Sequence, residues 1–171
     1  MQNNVVTFRI DKEIINRLKI EANEKDISLN MLVNHILRRY IEWELYEKKV
    51  GMISLPKILV KECYDMLSEE EIVMLGEKMG KNMLTDIILF MKGKIDQDTF
   101  LSWLDTRLKY SSLEVNHCFD NNMHTIVIKH DLGEKWSLYH KIVFDFIFHK
   151  LLQKDVEIEY NKSVIKISFS L

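Results

Sequence analysis

The chain has 171 residues, 47% of them hydrophobic and 29% charged, with a formal net charge of −2. That is enough apolar material for one medium domain or two small ones, each with a buried core. The near-neutral balance excludes a polybasic nucleic-acid binder but leaves room for a local basic strip.

Residues 1–50 carry nine Lys/Arg against eight Asp/Glu, net +1, which leaves −3 for residues 51–171. Cys63 and Cys118 fit no zinc or redox spacing and read as reduced, partly buried thiols. The polar start lacks the apolar core of a secretory signal, and runs such as "IILFM" are too short to span a bilayer. A soluble, cytoplasmic protein is expected.

Val5 to Ile10 alternates with period two, placing Val6, Phe8 and Ile10 on one face of a strand and Val5, Thr7 and Arg9 on the other. Asp11 is placed to cap a helix through "KEIINRLKIEANEK", whose apolar stripe is Ile14, Leu18 and Ala22. After "DIS", Ser28 caps a second helix running to about Lys49. It carries Leu32, Val33, Ile36, Leu37, Tyr40 and Ile41, with Arg38 and Arg39 on a solvated flank.

Gly51 and the single proline, Pro56, bracket a linker at 51–56. Helical patterning resumes from Pro56 to about Gly93, with Ser68 and Glu71 forming a capping box. Gly76 and Gly80 lie four apart inside it and predict close helix packing. The methionines from Met66 to Met91 suit core or dimer contacts. A short helix follows, capped at Asp96 or Asp98.

The tail alternates differently. "SLEVNHCFDNNMHTIVIKHD" predicts a hairpin turning at Asn121-Asn122, and "VEIEYNKSVIKISFSL" a second, turning at Asn161-Lys162-Ser163. Between them "GEKWSLYHKIVFDFIFHKLLQK" reads as a strongly apolar helix. The expected class is α+β, a ββαββ antiparallel-sheet domain over about residues 57–171.

A strand, a helix, a capped turn and a second helix within about 45 residues resemble the ribbon-helix-helix family of DNA-binding proteins, of the MetJ and Arc type. The stretch that carries the resemblance is "VVTFRIDKEIINRLKIEANEKDISLNMLVNHILRRY". The resemblance implies an intertwined homodimer for residues 1–50, in which two copies of the strand pair into a ribbon laid in the major groove. It implies base contacts from Val5, Thr7 and Arg9. Arg9 would reach guanine O6 and N7, Thr7 a base edge or thymine methyl, and Val5 only apolar surface. It implies a phosphate clamp at Ser28, Leu29 and Asn30, where the N–H groups opening the second helix hold a DNA phosphate. Physical reasoning agrees: one unpaired strand and two amphipathic helices bury too little alone.

The remainder shows no such resemblance. If Asn121-Asn122 is the turn, His117 and His124 become diagonal neighbours, the candidate metal ligands on a face whose apolar character suits core histidines equally. Trp136, Tyr139, Phe144, Phe146 and Phe148 could line an effector pocket, although packing against the sheet is the simpler reading. No phosphate loop, paired acids or nucleophile arrangement points to an enzyme. No cofactor is required, so a metal or small-molecule effector is optional. The expected function is a DNA-binding transcriptional repressor acting as a dimer or tetramer, without a membrane partner. The alternatives are an antitoxin, a metal-responsive repressor, or an oligomerisation module without DNA contact.

Overall fold

Caps and turns written into the sequence divide the computed structural model, which describes residues 4–170, into its elements. The Asp11 carboxylate accepts from the Glu13 N–H at 2.7 Å and opens α1 (Lys12–Glu24). A Schellman closure ends it: the Asp26 N–H donates to Asn23 and the Ile27 N–H to Ala22, at 3.1 and 3.0 Å. Asp26 takes the left-handed position this closure requires, at φ 52°. The Ser28 hydroxyl then accepts from the Met31 N–H at 3.1 Å and starts α2 (Leu29–Arg39). That helix widens into a π-helical turn, Tyr40–Glu44, before the single turn α3 (Leu45–Glu47).

Residues 4–11 form neither helix nor strand. A strand requires a hydrogen-bonded neighbour, and none of the described residues supplies one to the alternating segment Val5–Ile10. The chain divides into two compact units, one ending at Leu45 and the other beginning at Tyr46. The division therefore falls before the expected linker at 51–56. Val50 and Met52 are partly buried against the second unit's core, so the Gly51 region is not a free spacer.

The second unit begins with helices. Pro56 precedes α4 (Lys57–Asp65), and a reciprocal capping box joins Ser68 to Glu71 at the start of α5 (Glu69–Lys78). A π-helical turn, Met79–Leu84, leads into α6 (Thr85–Lys92), which Gly93 ends at φ 77°. Asp96 and Thr99 cap α7 (Gln97–Lys109) in the same reciprocal way.

The strands follow. β1 (Glu114–Asp120) and β2 (Met123–Lys129) are joined by Asn121 and Asn122, both at positive φ, as a two-residue hairpin of this hand requires. α8 (Glu134–Phe146) runs on through a π-helical turn, Ile147–Leu151. β3 (Glu157–Tyr160) and β4 (Val164–Ser170) complete an antiparallel sheet in the order β1-β2-β4-β3. Leu171, the end of the second predicted hairpin, lies outside the described residues.

Register places Ile126 opposite Ile167 and Ile128 opposite Ile165, all essentially inaccessible. This face packs against α8 and the π-helical turn that extends it, where Phe148 meets Phe169 with ring centres 4.7 Å apart. Trp136, Tyr139, Phe144 and Phe148 are buried in the same core and Phe146 is partly buried, so these aromatics pack rather than line an effector pocket. Gly76 explains the approach of α5 to α8, since a Cβ there would lie 2.9 Å from Ile142 Cγ2. The fold is α+β, with its sheet at the C-terminal end.

Candidate nucleic-acid interface

The first unit leaves much of its apolar surface uncovered. Val6 is 66% exposed and Phe8 63%, and Ile10, Ile14, Ile36, Leu37, Tyr40 and Ile41 are exposed as well. Only Ala22 on α1 and Leu32 on α2 are buried within those helices. At roughly 25 cal/mol per Å² of apolar area, a face this wide is costly to leave in water.

Val5, Thr7 and Arg9, the predicted base-contacting residues, are all exposed. Arg9 makes no ion pair among the described residues, nor do Lys12, Arg17 and Lys19. The basic residues at the other end of the unit are already matched: Lys25 to Glu21 at 2.6 Å, Arg38 to Glu42 at 3.9 Å and Arg39 to Glu44 at 2.9 Å. Uncommitted positive charge is thus concentrated in the opening segment and α1.

At Ser28, Leu29 and Asn30 the helix start has the requirements of an anion clamp. The Ser28 hydroxyl takes the Met31 N–H, while the Leu29 and Asn30 N–H groups stand in the first turn, which offers no intrahelical acceptor. The Asn34 side-chain amide donates to the Asn30 carbonyl at 2.8 Å and to its Oδ1 at 3.3 Å, which uses Asn30's side-chain oxygen as an acceptor. Asp26 brings a carboxylate within two residues of this start.

In the second unit the histidines divide by role. His130 is buried: its Nδ1 accepts from the Leu132 N–H at 3.2 Å and its Nε2 meets the Ser137 hydroxyl at 2.8 Å. Ser137 donates in turn to the Asn161 carbonyl at 2.7 Å. Its proton is committed to the backbone, so this serine–histidine pair is a structural latch on the second hairpin's turn. His140 donates Nδ1–H to the Trp136 carbonyl at 3.0 Å and lies 3.7 Å from the Trp136 ring. Burial pushes its pKa down to about 3, against a smaller raising effect of that hydrogen bond.

His117 and His124 come together as expected, His117 Nε2 and His124 Nδ1 lying 2.9 Å apart. Sequence spacing does not reveal a third member, Asp105 on α7, whose carboxylate lies 3.4 Å from His117 Nδ1. Burial first, and the His117 charge second, lower the pKa of His124. Among the described residues no group of three or more His, Cys, Asp or Glu side chains is arranged to hold a metal ion. Cys63 and Cys118 are free and exposed, against the expectation of partly buried thiols. Cys63 lies on the exposed side of α4, and Cys118 on β1, all seven residues of which are exposed.

No protein-family model matches the chain, and the curated proteins contain no match to it. Among the described residues no helix is long and apolar enough to cross a membrane.

Proposed function

We propose that this protein is a dimeric, sequence-specific DNA-binding transcriptional regulator whose first unit is a ribbon-helix-helix module. Two copies of the segment Val5–Ile10 pair antiparallel, with Val6, Phe8 and Ile10 covered by the four helices of the dimer. Val5, Thr7 and Arg9 then face the base edges of the major groove, and the helix starts at Ser28, Leu29 and Asn30 hold phosphates on either side. Occlusion of a promoter by the bound dimer gives repression.

One observation carries this reading. The side of the opening segment that a dimer would bury is bared to solvent in the single chain, and the other side carries an arginine with no ion-pair partner. The alternation is that of a strand, yet no partner for it exists among the described residues of one chain.

The test is selection of bound duplexes from a random DNA pool by the full chain, followed by binding of the selected sequence. Arg9→Ala is expected to weaken specific binding by about 1–3 kcal/mol, roughly five- to 150-fold, while non-specific binding falls far less. Thr7→Ala should relax the preference at a neighbouring base pair. Both variants should sediment as dimers. Failure to enrich any sequence, or wild-type affinity in the double variant, would remove the reading face from this segment.

A further inference from the structure

The sheet has two outer strands, β1 and β3, and they are built differently. β3 has four residues, Glu157 and Glu159 among them, and a short, charged edge discourages a further strand. β1 has seven, all exposed, with neither proline nor lysine. Its carboxylates stand only at its ends, on Glu114 and Asp120, so the middle of the strand carries none. Asn121 and Asn122 make a two-residue turn, which fixes Asp120 and Met123 as a hydrogen-bonded pair. Counting back along β1, Cys118 and Asn116 also turn their backbone groups to β2. Val115, His117 and Phe119 turn theirs outwards, where no strand lies among the described residues. The register puts these three on the same sheet face as Ile126 and Ile128, yet Phe119 is 60% exposed and Val115 37%.

We propose that β1 pairs antiparallel with β1 of a second copy about a two-fold axis at Cys118, joining two four-stranded sheets into one. The pairing rests on the dimer read for the first unit, which holds two second units together at the effective concentration of a tethered pair. So short an edge is too small an interface to hold two chains by itself. Charge and apolar cover select the register. Centred on His117, the pairing would set Glu114 against the partner's Asp120, two carboxylates directly opposite. Centred on Asn116, it would leave Phe119 with no strand residue opposite. Centred on Cys118, it sets Asn116 against the partner's Asp120, an amide against a carboxylate. It also sets Phe119 against the partner's His117, ring against ring on the uncovered face. These are the residues whose outward backbone groups can then exchange hydrogen bonds.

The test is cross-linking of the full-length Cys63→Ser protein by diamide, which takes two electrons and two protons from a pair of thiols as the disulfide forms. In this register Cys118 faces its own image with Cα atoms about 4.5 Å apart, within disulfide range. Asn116 stands about 14 Å from its image, well outside that range. The expected result is a covalent dimer through Cys118 at a rate independent of protein concentration. Asn116→Cys in a Cys118→Ser background should cross-link at least tenfold more slowly. Phe119→Lys, which puts a cation on the edge, should slow the Cys118 reaction at least tenfold while circular dichroism shows the fold intact. Equal rates at 116 and 118, or no Cys118 cross-link in a protein that sediments as a dimer, would overturn the edge pairing and leave the first unit's dimer standing. Phe8→Asp separates the two readings. Monomers without the cross-link support the tether, whereas cross-linking at the wild-type rate would keep the edge pairing and remove the first unit as its cause. A wild-type monomer that does not cross-link would overturn both.

Discussion

Asp26 is a residue doing two incompatible things. It occupies the left-handed position that closes α1, where Gly or Asn is more comfortable, and it holds a negative charge two residues from the start of α2. Asp26→Asn keeps the backbone tolerance and removes the charge. The expected result is unchanged or slightly higher thermal stability, and DNA binding strengthened by roughly 0.5–1 kcal/mol at low salt, the scale of one charge near a helix start. A salt titration checks it, because the difference should shrink as ionic strength rises.

His140 gives the second unit an acid limb. Its folded pKa of about 3 lies below the ordinary 6.5, so the neutral ring contributes stability that is intact above pH 6.5 and lost as pH falls towards 3. Burial lowers His130 in the same direction. The stability slope from His140 alone approaches about 1.4 kcal/mol per pH unit within that window. In His140→Phe, which keeps an aromatic ring beside Trp136, melting temperatures measured from pH 7 to pH 4 should fall less steeply than in the wild type.

At the scale of elements, α5 approaches α8 closely at Gly76. A methyl group at residue 76 would meet both Cγ2 and Cβ of Ile142, at 2.9 and 3.0 Å, and neither is the loose end of a long side chain. Gly76→Ala should therefore cost about 1–3 kcal/mol by overpacking, despite the better helix propensity of alanine. Gly80→Ala meets Phe146 only at 3.3 Å and should be milder. Thermal unfolding of the two variants side by side reads the difference.

These glycines were legible as packing positions because two of them, four apart, are hard to justify otherwise in a helix. The caps at Asp11, Ser28 and Ser68 were equally plain, since each pairs a short polar side chain with the first N–H groups of a helix, whereas the spacing left Asp96 and Asp98 open for α7 and the structure uses Asp96. The turn at Asn121-Asn122 was readable because asparagine tolerates the positive φ it needs. What the pattern could not disclose were the π-helical turns at Tyr40–Glu44, Met79–Leu84 and Ile147–Leu151. Each admits an extra residue into a helix without disturbing the apolar stripe enough to be noticed. The strand order was also hidden, because alternation fixes faces but not neighbours. Asp105 was invisible for a similar reason: nothing local ties a residue of α7 to the hairpin.

For the whole molecule, the proposed dimer makes the stability of the first unit depend on concentration. Dilution should lower its melting temperature while that of the second unit stays fixed, a split that differential scanning calorimetry resolves. Phe8→Asp places a charge where the dimer would bury a ring. It should yield monomers by analytical ultracentrifugation and abolish DNA binding, with the second unit still folded. Persistence of the dimer in this variant would move the interface elsewhere. The division between Leu45 and Tyr46, rather than at Gly51, follows from Val50 and Met52 joining the second core, an attachment that glycine and proline spacing alone cannot signal.

β4 lies between β2 and β3, and Ile165, Ile167 and Phe169 are among the most deeply buried side chains. Central in space, it is made after every other strand. While the ribosome is still adding residues 130–160, the earlier hairpin has one flank open and nothing to close it. The sheet can mature only after Phe169 has emerged, so this half of the protein must wait, partly collapsed and vulnerable to sticking, until translation has passed that point.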